Sequence, residues 1–387
     1  MNVKQRIAAQ LAELESRAEL RQLESPRGID LSSNDYLGLS ADPRMKEAVL
    51  AAIFAAPRIA STGSRLLSGH DEAWTLVEQE FARWVGSEAA LYFTSGYAAN
   101  VGLLGAVLGP DDVVFSDSAN HASLIDGMRL AKSRRIIFPH LDLNALEAEL
   151  RWNASSSGAR FIVVESIFSM DGDRAPLREL AALAARNHAE LIVDEAHATG
   201  VCGPSGRGCV AEAGLSGRVF ATVHTCGKAL AAAGAFVCGP ELLRRLLINR
   251  ARTFIFSTAL PPYFAAQVAA GMRLAASCGL ARERLADLSN FFRNQLLQNG
   301  FEIAGSDSHI VPIVLGSNDT ALAFAANLQA RGFGVRAIRP PTVPEGTARL
   351  RLSLTAGLTQ SMLLDLVGAL IEIRIQIAPA QAMPQSQ

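Results

Sequence analysis

The sequence predicts an α/β protein: a large domain with a mostly parallel central sheet between helices, and a smaller C-terminal α+β domain. Three observations predict it. Short apolar runs alternate with helical runs from about residue 41 to 275. Strands alternating with helices of this length build a parallel sheet with both faces covered. A second set of apolar runs follows a charged helical stretch around 279–298. Finally, 387 residues at 49% hydrophobic and 19% charged supply a large core and exclude a disordered chain. By length alone, roughly two or three domains are allowed.

In chain order, residues 1–40 are expected to form an N-terminal helix, running to about 25, and a polar, turn-rich connecting segment. The large domain is expected over 41–275. Its strands fall at 90–93, 112–115, 161–164, 191–193 and 219–224, and its helices at 98–108, 122–131 and 177–187. The smaller domain is expected over 276–376, with strands at 310–314, 334–338 and 349–353 flanking a helix at 321–330. The Pro/Gln-rich tail 377–387 is expected to be loose.

Composition removes several function classes. Lys plus Arg is 36 against 37 Asp plus Glu, a net charge of -1. No global field draws the chain to nucleic acid or anionic lipid. Two long uncharged stretches, 89–110 and 253–272, are interrupted by polar residues or by Pro261-Pro262, so no membrane span is expected. The first 20 residues carry charges throughout and lack the apolar core of a signal peptide. Five cysteines, at 202, 209, 226, 238 and 278, include no C-x-x-C pair, so reduced thiols and a cytoplasmic location are expected. H-E-x-x-H and zinc-ligand spacings are absent, and no metal is expected. P-loop and G-x-G-x-x-G patterns are absent too.

Open α/β sheets bind ligands beyond the carboxyl ends of their strands. Five strand ends here carry polar or ionisable residues: Thr94-Ser95-Gly96-Tyr97, Asn120-His121, Glu165 to Asp171, Asp194-Glu195-Ala196-His197, and Thr225-Cys226-Gly227-Lys228. Each has an ordinary reading. The Gly96 turn is a strand–helix connection or, through free N–H groups and the helix dipole, a phosphate site. Asp194 is a helix cap or the partner of a protonated ring nitrogen. His197, three residues on, is a structural hydrogen-bonding group or part of the same site. Lys228, on an apolar segment, is a solvated loop residue or a Schiff-base lysine. Five such ends converging on one crevice are hard to explain as packing.

A phosphate turn, a ring-pairing Asp and a Schiff-base Lys are what a pyridoxal phosphate (PLP) site requires. The segments LSSNDYLGLS, STGSRLLSGH, SGYAAN, NHASLIDG, ESIFSMDGD, VDEAHATGVCGPSGRG, HTCGKAL and RPPTVPEGTARLRLSLTA resemble, in order and over residues 29–357, the α-oxoamine synthases. These are fold-type I PLP enzymes that condense an amino acid with an acyl thioester and release CO₂. The last segment is most similar to members that join L-alanine to a pimeloyl thioester, carried on CoA or on an acyl carrier protein. The resemblance implies a homodimer and pyridoxal 5'-phosphate as cofactor. It implies that Lys228 bonds to the cofactor and acts as base, that Asp194 keeps the ring nitrogen protonated, and that His197 bonds the ring's phenolic oxygen. His121 would stack on the ring and touch the substrate carboxylate. Ser95, Gly96 and Tyr97 would bind the phosphate. Ser169 and Thr225 would contact cofactor oxygens, and Thr258 would reach the phosphate of the neighbouring subunit. Arg351 would bind the substrate carboxylate, Asn34 and Thr342 would line the substrate site, and Arg21 would contact the acyl substrate's distal carboxylate. Glu195, variable among relatives, is expected to have no consequence. The rival readings are glycine with acetyl-CoA as substrates, a catalytically dead partner subunit, and an aminotransferase.

Overall fold

The computed structural model describes residues 2–25 and 27–377; the expected loose tail lies outside the described residues apart from Ile377. Its strands in chain order are β1 (Ile29–Asp30), β2 (Ala89–Phe93), β3 (Val113–Asp117), β4 (Arg134–Phe138), β5 (Arg160–Glu165), β6 (Glu190–Asp194), β7 (Ala221–Thr225), β8 (Ala235–Gly239), β9 (Ile310–Gly316), β10 (Phe333–Gly334), β11 (Ala337–Ile338) and β12 (Ala348–Ser353).

The chain divides into two compact units, one drawn from 35–169 and 174–283 and the other from the described parts of 1–34, 170–173 and 284–387. The expected boundaries at 40 and 275 therefore shift. The N-terminal segment belongs with the C-terminal residues, because β1 pairs parallel with β10 and the Ser353 N–H donates to the Leu31 carbonyl at 2.8 Å. Such long-range backbone pairing leaves no signal in local composition.

The larger unit is built on a seven-stranded sheet in the order β2-β8-β7-β6-β5-β3-β4. Within it β8 alone runs against its neighbours, and the rest is parallel. The α/β class and the mostly parallel sheet are as the sequence predicts. Two strands were not anticipated. β4 is largely exposed, so it lacks a buried apolar run. β8 lies in the Ala-rich stretch after Lys228, where helix and strand look alike by period. Register aligns the carboxyl ends: Glu165 pairs with Asp194 and Asp194 with Val223. The sequence therefore delivers its polar strand ends to one edge of the sheet.

Helix Glu72–Val85 shows how one face is covered. The Asp71 side chain accepts from the Ala73 N–H at its start, and Gly86 closes it in the left-handed conformation at φ 76°. Trp74, Val77, Phe81, Ala82 and Val85 are buried at helical spacing. Trp74 stacks on Tyr92 at 4.2 Å, and Phe81 stacks on Phe236 at 3.9 Å. Glu78 shares this buried face. It pairs with Arg65 and accepts the Tyr92 N–H at 2.9 Å, joining the helix to β2.

The second unit has a three-stranded antiparallel sheet, β11-β12-β9, and the β1–β10 pair. The single strand expected at 334–338 is two short pieces in different sheets, because Gly334 pairs with Asp30 and Ala337 with Leu350. A Cβ on Gly334 would come 2.7 Å from the Arg27 carbonyl, so only glycine lets the segments approach. Residues 170–173 join this unit: Asp171 pairs with the buried Arg349, and the Gly172 carbonyl accepts from the Asp307 N–H at 3.4 Å. The N-terminal helix is Val3–Ser16, shorter than expected. It ends where Ala18 turns to φ 53° and the N–H groups of Glu19 and Leu20 fold back onto the Leu14 carbonyl. Its Val3, Ile7, Leu11 and Leu14 are all exposed.

Among the described residues no single helix is long and apolar enough to cross a membrane; Tyr263–Ser277 and Gly279–Gln298 pass only as a pair bent by 69°.

Breaking a buried ion pair from one side leaves the other charge unpaired, at about 3–5 kcal/mol. Glu78→Ala strands Arg65 and the Tyr92 N–H together. We expect a loss of that size in urea unfolding, while exposed Glu13→Ala shifts stability by less than about 0.5 kcal/mol. Equal effects of the two would refute the assignment.

Candidate active site

The site assembles from the ends of β2, β3, β5, β6 and β7. Lys228 follows β7, and its Nζ lies 2.8 Å from His197 Nε2. On the far side of the ring, His197 Nδ1 lies 2.6 Å from the hydroxyl of the buried Tyr36. The two contacts hold the imidazole between the lysine amine and the tyrosine hydroxyl. His197 follows a tight turn from Asp194, whose Oδ1 accepts from the Ala196 N–H at 2.9 Å.

Asp194 Oδ2 accepts from Asn100 Nδ2 at 2.6 Å, and the same amide nitrogen donates to Ser123 Oγ at 2.9 Å. Ser123 Oγ lies 2.7 Å from His121 Nδ1, which also accepts from the Ser123 N–H at 3.2 Å. Ser123 Oγ accepts from the Asn100 amide, and the Ser123 N–H donates to His121 Nδ1. Nδ1 is then an acceptor, and the proton of the neutral ring sits on Nε2. Desolvation lowers the His121 pKa; Asp194 opposes this and Lys228 reinforces it.

Two further carboxyl groups are buried in the same layer. Burial, then the nearby charge of Asp194, pushes Glu165 up to about 8, against attraction by Lys228 and hydrogen bonds from the backbone at His121 and Ser169. The Ser169 N–H reaches Glu165 Oε2 at 3.2 Å. Glu195 is pushed up to about 7 by burial, although it accepts from Val210 N–H at 2.6 Å, Cys209 N–H at 2.9 Å and Ser166 Oγ at 3.0 Å. This corrects the expectation that Glu195 has no consequence. It anchors the loop 198–212 to the residue beside Asp194.

Helix Gly96–Val107 starts at the end of β2. Ser95 caps it by accepting the Ala98 N–H at 3.0 Å. The N–H groups of Gly96 and Tyr97 fall in the first turn, where a helix provides them no partner. A Cβ on Gly96 would meet Thr225 Oγ1 at 2.6 Å, so glycine keeps the threonine hydroxyl against this helix start. Tyr97 is half exposed, and its hydroxyl donates to Asp126. Thr258 is exposed and bridges Ser64 through its backbone.

The remaining expected residues belong to the smaller unit. Buried Arg351 donates to Ser353 Oγ at 2.7 Å and to Asn34 Oδ1 at 3.2 Å. Arg21 donates to Thr342 Oγ1 at 3.2 Å and to the Pro340 carbonyl at 3.4 Å. Asn34 and Arg351 thus form one pair, and Arg21 and Thr342 another. The sequence reading gave no role to Asn100, Ser123 or Tyr36. For Asn100 a signal existed: four residues after Gly96 it lies one turn along the same helix face.

The residues fit a pyridoxal phosphate group: a lysine beside a histidine, a buried carboxylate held by an amide donor, and a helix start whose Gly96 lets the Thr225 hydroxyl sit beside it. The aminotransferase class I and II family matches residues 26–370, and the chain belongs to it, with pyridoxal phosphate as its cofactor. Within that class the chain belongs with the α-oxoamine synthases, in the 8-amino-7-oxononanoate synthase family. It is 45% identical to the 8-amino-7-oxononanoate synthase of Anaeromyxobacter sp. (strain K), over 91% of this chain and 88% of that one. Identity is also 45% to the enzyme of that name from Geobacter sulfurreducens, over 89% and 88%. Among solved structures, a serine palmitoyltransferase from S. paucimobilis with a bound PLP–myriocin adduct superposes with a TM-score of 0.90 at 28% identity, covering 98% of this chain and 100% of that one.

A carboxyl group whose pKa is raised by folding stabilises the fold below its unfolded value of 4.5 and loses that contribution as pH rises to about 8. Glu165→Gln keeps the shape without the titration. Its melting temperature should fall less than that of the parent between pH 5 and 8. Parallel profiles would show that Glu165 is ionised throughout.

Proposed function

We propose that this chain catalyses the decarboxylative condensation of L-alanine with a pimeloyl thioester, giving 8-amino-7-oxononanoate, CO₂ and a free thiol. The observation that carries the reading is the paired arrangement of Lys228 with His197 and of Asp194 with Asn100 at adjacent strand ends. The names of the relatives point to the same reaction.

When bound, pyridoxal phosphate supplies a conjugated ring that takes up the electron pair released at the amino-acid α-carbon. The protein does the rest. Asp194 pairs with the ring nitrogen, and the Asn100 amide steadies its charge. First-turn N–H groups of Gly96 and Tyr97, with Ser95 and Thr225, take the phosphate, while Ser169 and His197 contact other cofactor oxygens. Lys228 Nζ removes the α-proton and holds it, with His197 as its hydrogen-bonding neighbour. His121 presents a ring face and Nε2–H to the substrate. Arg351 takes the amino-acid carboxylate, supported by Asn34 and Ser353, and its bidentate fork fixes the carboxylate plane. Orientation of the breaking C–C bond can contribute several kcal/mol. Thr342 and Arg21 are assigned to the acyl substrate.

We further propose a homodimer in the cytoplasm, with Thr258 reaching the neighbouring subunit's phosphate. The exposed apolar face of helix Val3–Ser16 supports association with a second copy.

The test is product formation from L-alanine with pimeloyl-CoA or pimeloyl-carrier protein, followed by mass spectrometry and CO₂ release. Lys228→Ala should lower kcat by at least about 10²–10⁴-fold, the range for a lost general base. Arg351→Ala should raise KM for alanine far more than KM for the thioester. Turnover of glycine with acetyl-CoA in place of this pair would keep the chemistry and overturn the substrate assignment. Amino-group exchange without CO₂ would overturn the condensation.

A further inference from the structure

The loop that Glu195 anchors also gathers three metal-ligating side chains that the proposed reaction does not use. The sulfur atoms of Cys202 and Cys209 and a carboxylate oxygen of Glu212 all lie within 4.8 Å of one another. Both cysteines are buried and Glu212 is exposed, so the set runs from the interior to solvent. From these positions we infer that Cys202, Cys209 and Glu212 form a site for a soft divalent cation, zinc by preference.

The backbone already holds the donors in place. The Cys202 carbonyl accepts from the Gly208 N–H at 2.9 Å, which closes the loop and returns the chain beside Cys202. The Cys209 N–H is fixed on Glu195 Oε2 at 2.9 Å, and the Cys209 carbonyl accepts from Ala213 N–H at 2.9 Å. Gly208 sits at φ 106°, and a Cβ there would meet Glu195 Oε2 at 2.6 Å, so the turn tolerates no side chain. Two thiolates and a carboxylate are a donor set that zinc takes in four-coordinate sites, and separations within 4.8 Å let one ion reach all three. Cys209 and Glu212 also line an open pocket of about 260 Å³ with Ser166 and Arg174, from which a water ligand could complete the set. Arg174 pairs with Glu212 at 3.2 Å, and the cation would compete for that carboxylate. Binding one Zn²⁺ releases the two thiol protons, so the site gains no net charge from the exchange.

The expectation of no metal rested on ligand spacing along the chain, and six residues separate the cysteines here. The site forms by loop closure instead. Because the same loop is tied to Glu195, a bound cation would stabilise the segment next to Asp194.

The test uses the reduced, chelator-treated holoenzyme, dialysed against zinc and separately against cobalt. Expected are one zinc per chain, a zinc-dependent rise in melting temperature, and cobalt spectra with thiolate charge-transfer absorption and strong tetrahedral d–d bands. Cys202→Ser and Cys209→Ser should abolish the bands, and Cys278→Ser should retain them. Glu212→Gln, at an exposed position, should weaken zinc binding by at least about tenfold. The inference is overturned if the parent takes up no stoichiometric zinc, if the bands survive Cys209→Ser, or if Glu212→Gln binds zinc as tightly as the parent.

Discussion

Burial of the Asp194, Glu165 and Glu195 carboxyl groups at the carboxyl edge of the sheet, reinforced for both glutamates by the charge of Asp194, is the constraint on which the site depends. Asp194 and Glu165 are paired by strand register, and Glu195 follows Asp194 in the chain. Three bare charges cannot persist so close together in a low-dielectric interior. The structure resolves this unequally. Glu165 and Glu195 are pushed up to about 8 and 7, and so hold protons far more readily than exposed acids. Asp194 accepts from the Asn100 amide at 2.6 Å, and Glu195 accepts from Ser166 Oγ at 3.0 Å. Asp194 is thereby directed, and the two glutamates serve as hydrogen-bonding anchors.

That division organises the surrounding loops. Glu165 takes the Ser169 N–H and draws in the backbone at His121, so it ties together the turns after β3 and β5. Glu195 takes two N–H groups from the loop at Cys209 and Val210. Asn100 links Asp194 to Ser123 and through it to the orientation of His121. The placement of one aspartate carboxyl group and the orientation of one histidine therefore depend on the same amide. Hydrogen-bond networks of this kind are strong when every member is satisfied and costly when one is lost.

Local pattern made the parallel core legible because strands buried on both faces read as continuous apolar runs, as at 161–164 and 191–193. β4 escaped because its residues are mostly exposed, and β8 because an Ala-rich run has no distinctive period. Lys228, Asp194 and His197 were readable as candidates because each lies at the end of a recognisable strand, and the fold brings Lys228 within 2.8 Å of His197. Asn100 and Ser123 were not, because their role lies in contacts across helix starts rather than in their own segments.

The sequence by itself determined the α/β class, the polar strand ends and the PLP family, since these reside in residue type, local period and ordered motifs. Tertiary structure alone decided which strands adjoin and that residues 1–34 and 170–173 join the C-terminal unit. It alone brought Cys202, Cys209 and Glu212 together and made Glu195 an anchor. The physical reason is the same in each case. Backbone pairing, burial and charge coupling act between residues far apart in the chain, and their strengths depend on distances that no local pattern encodes.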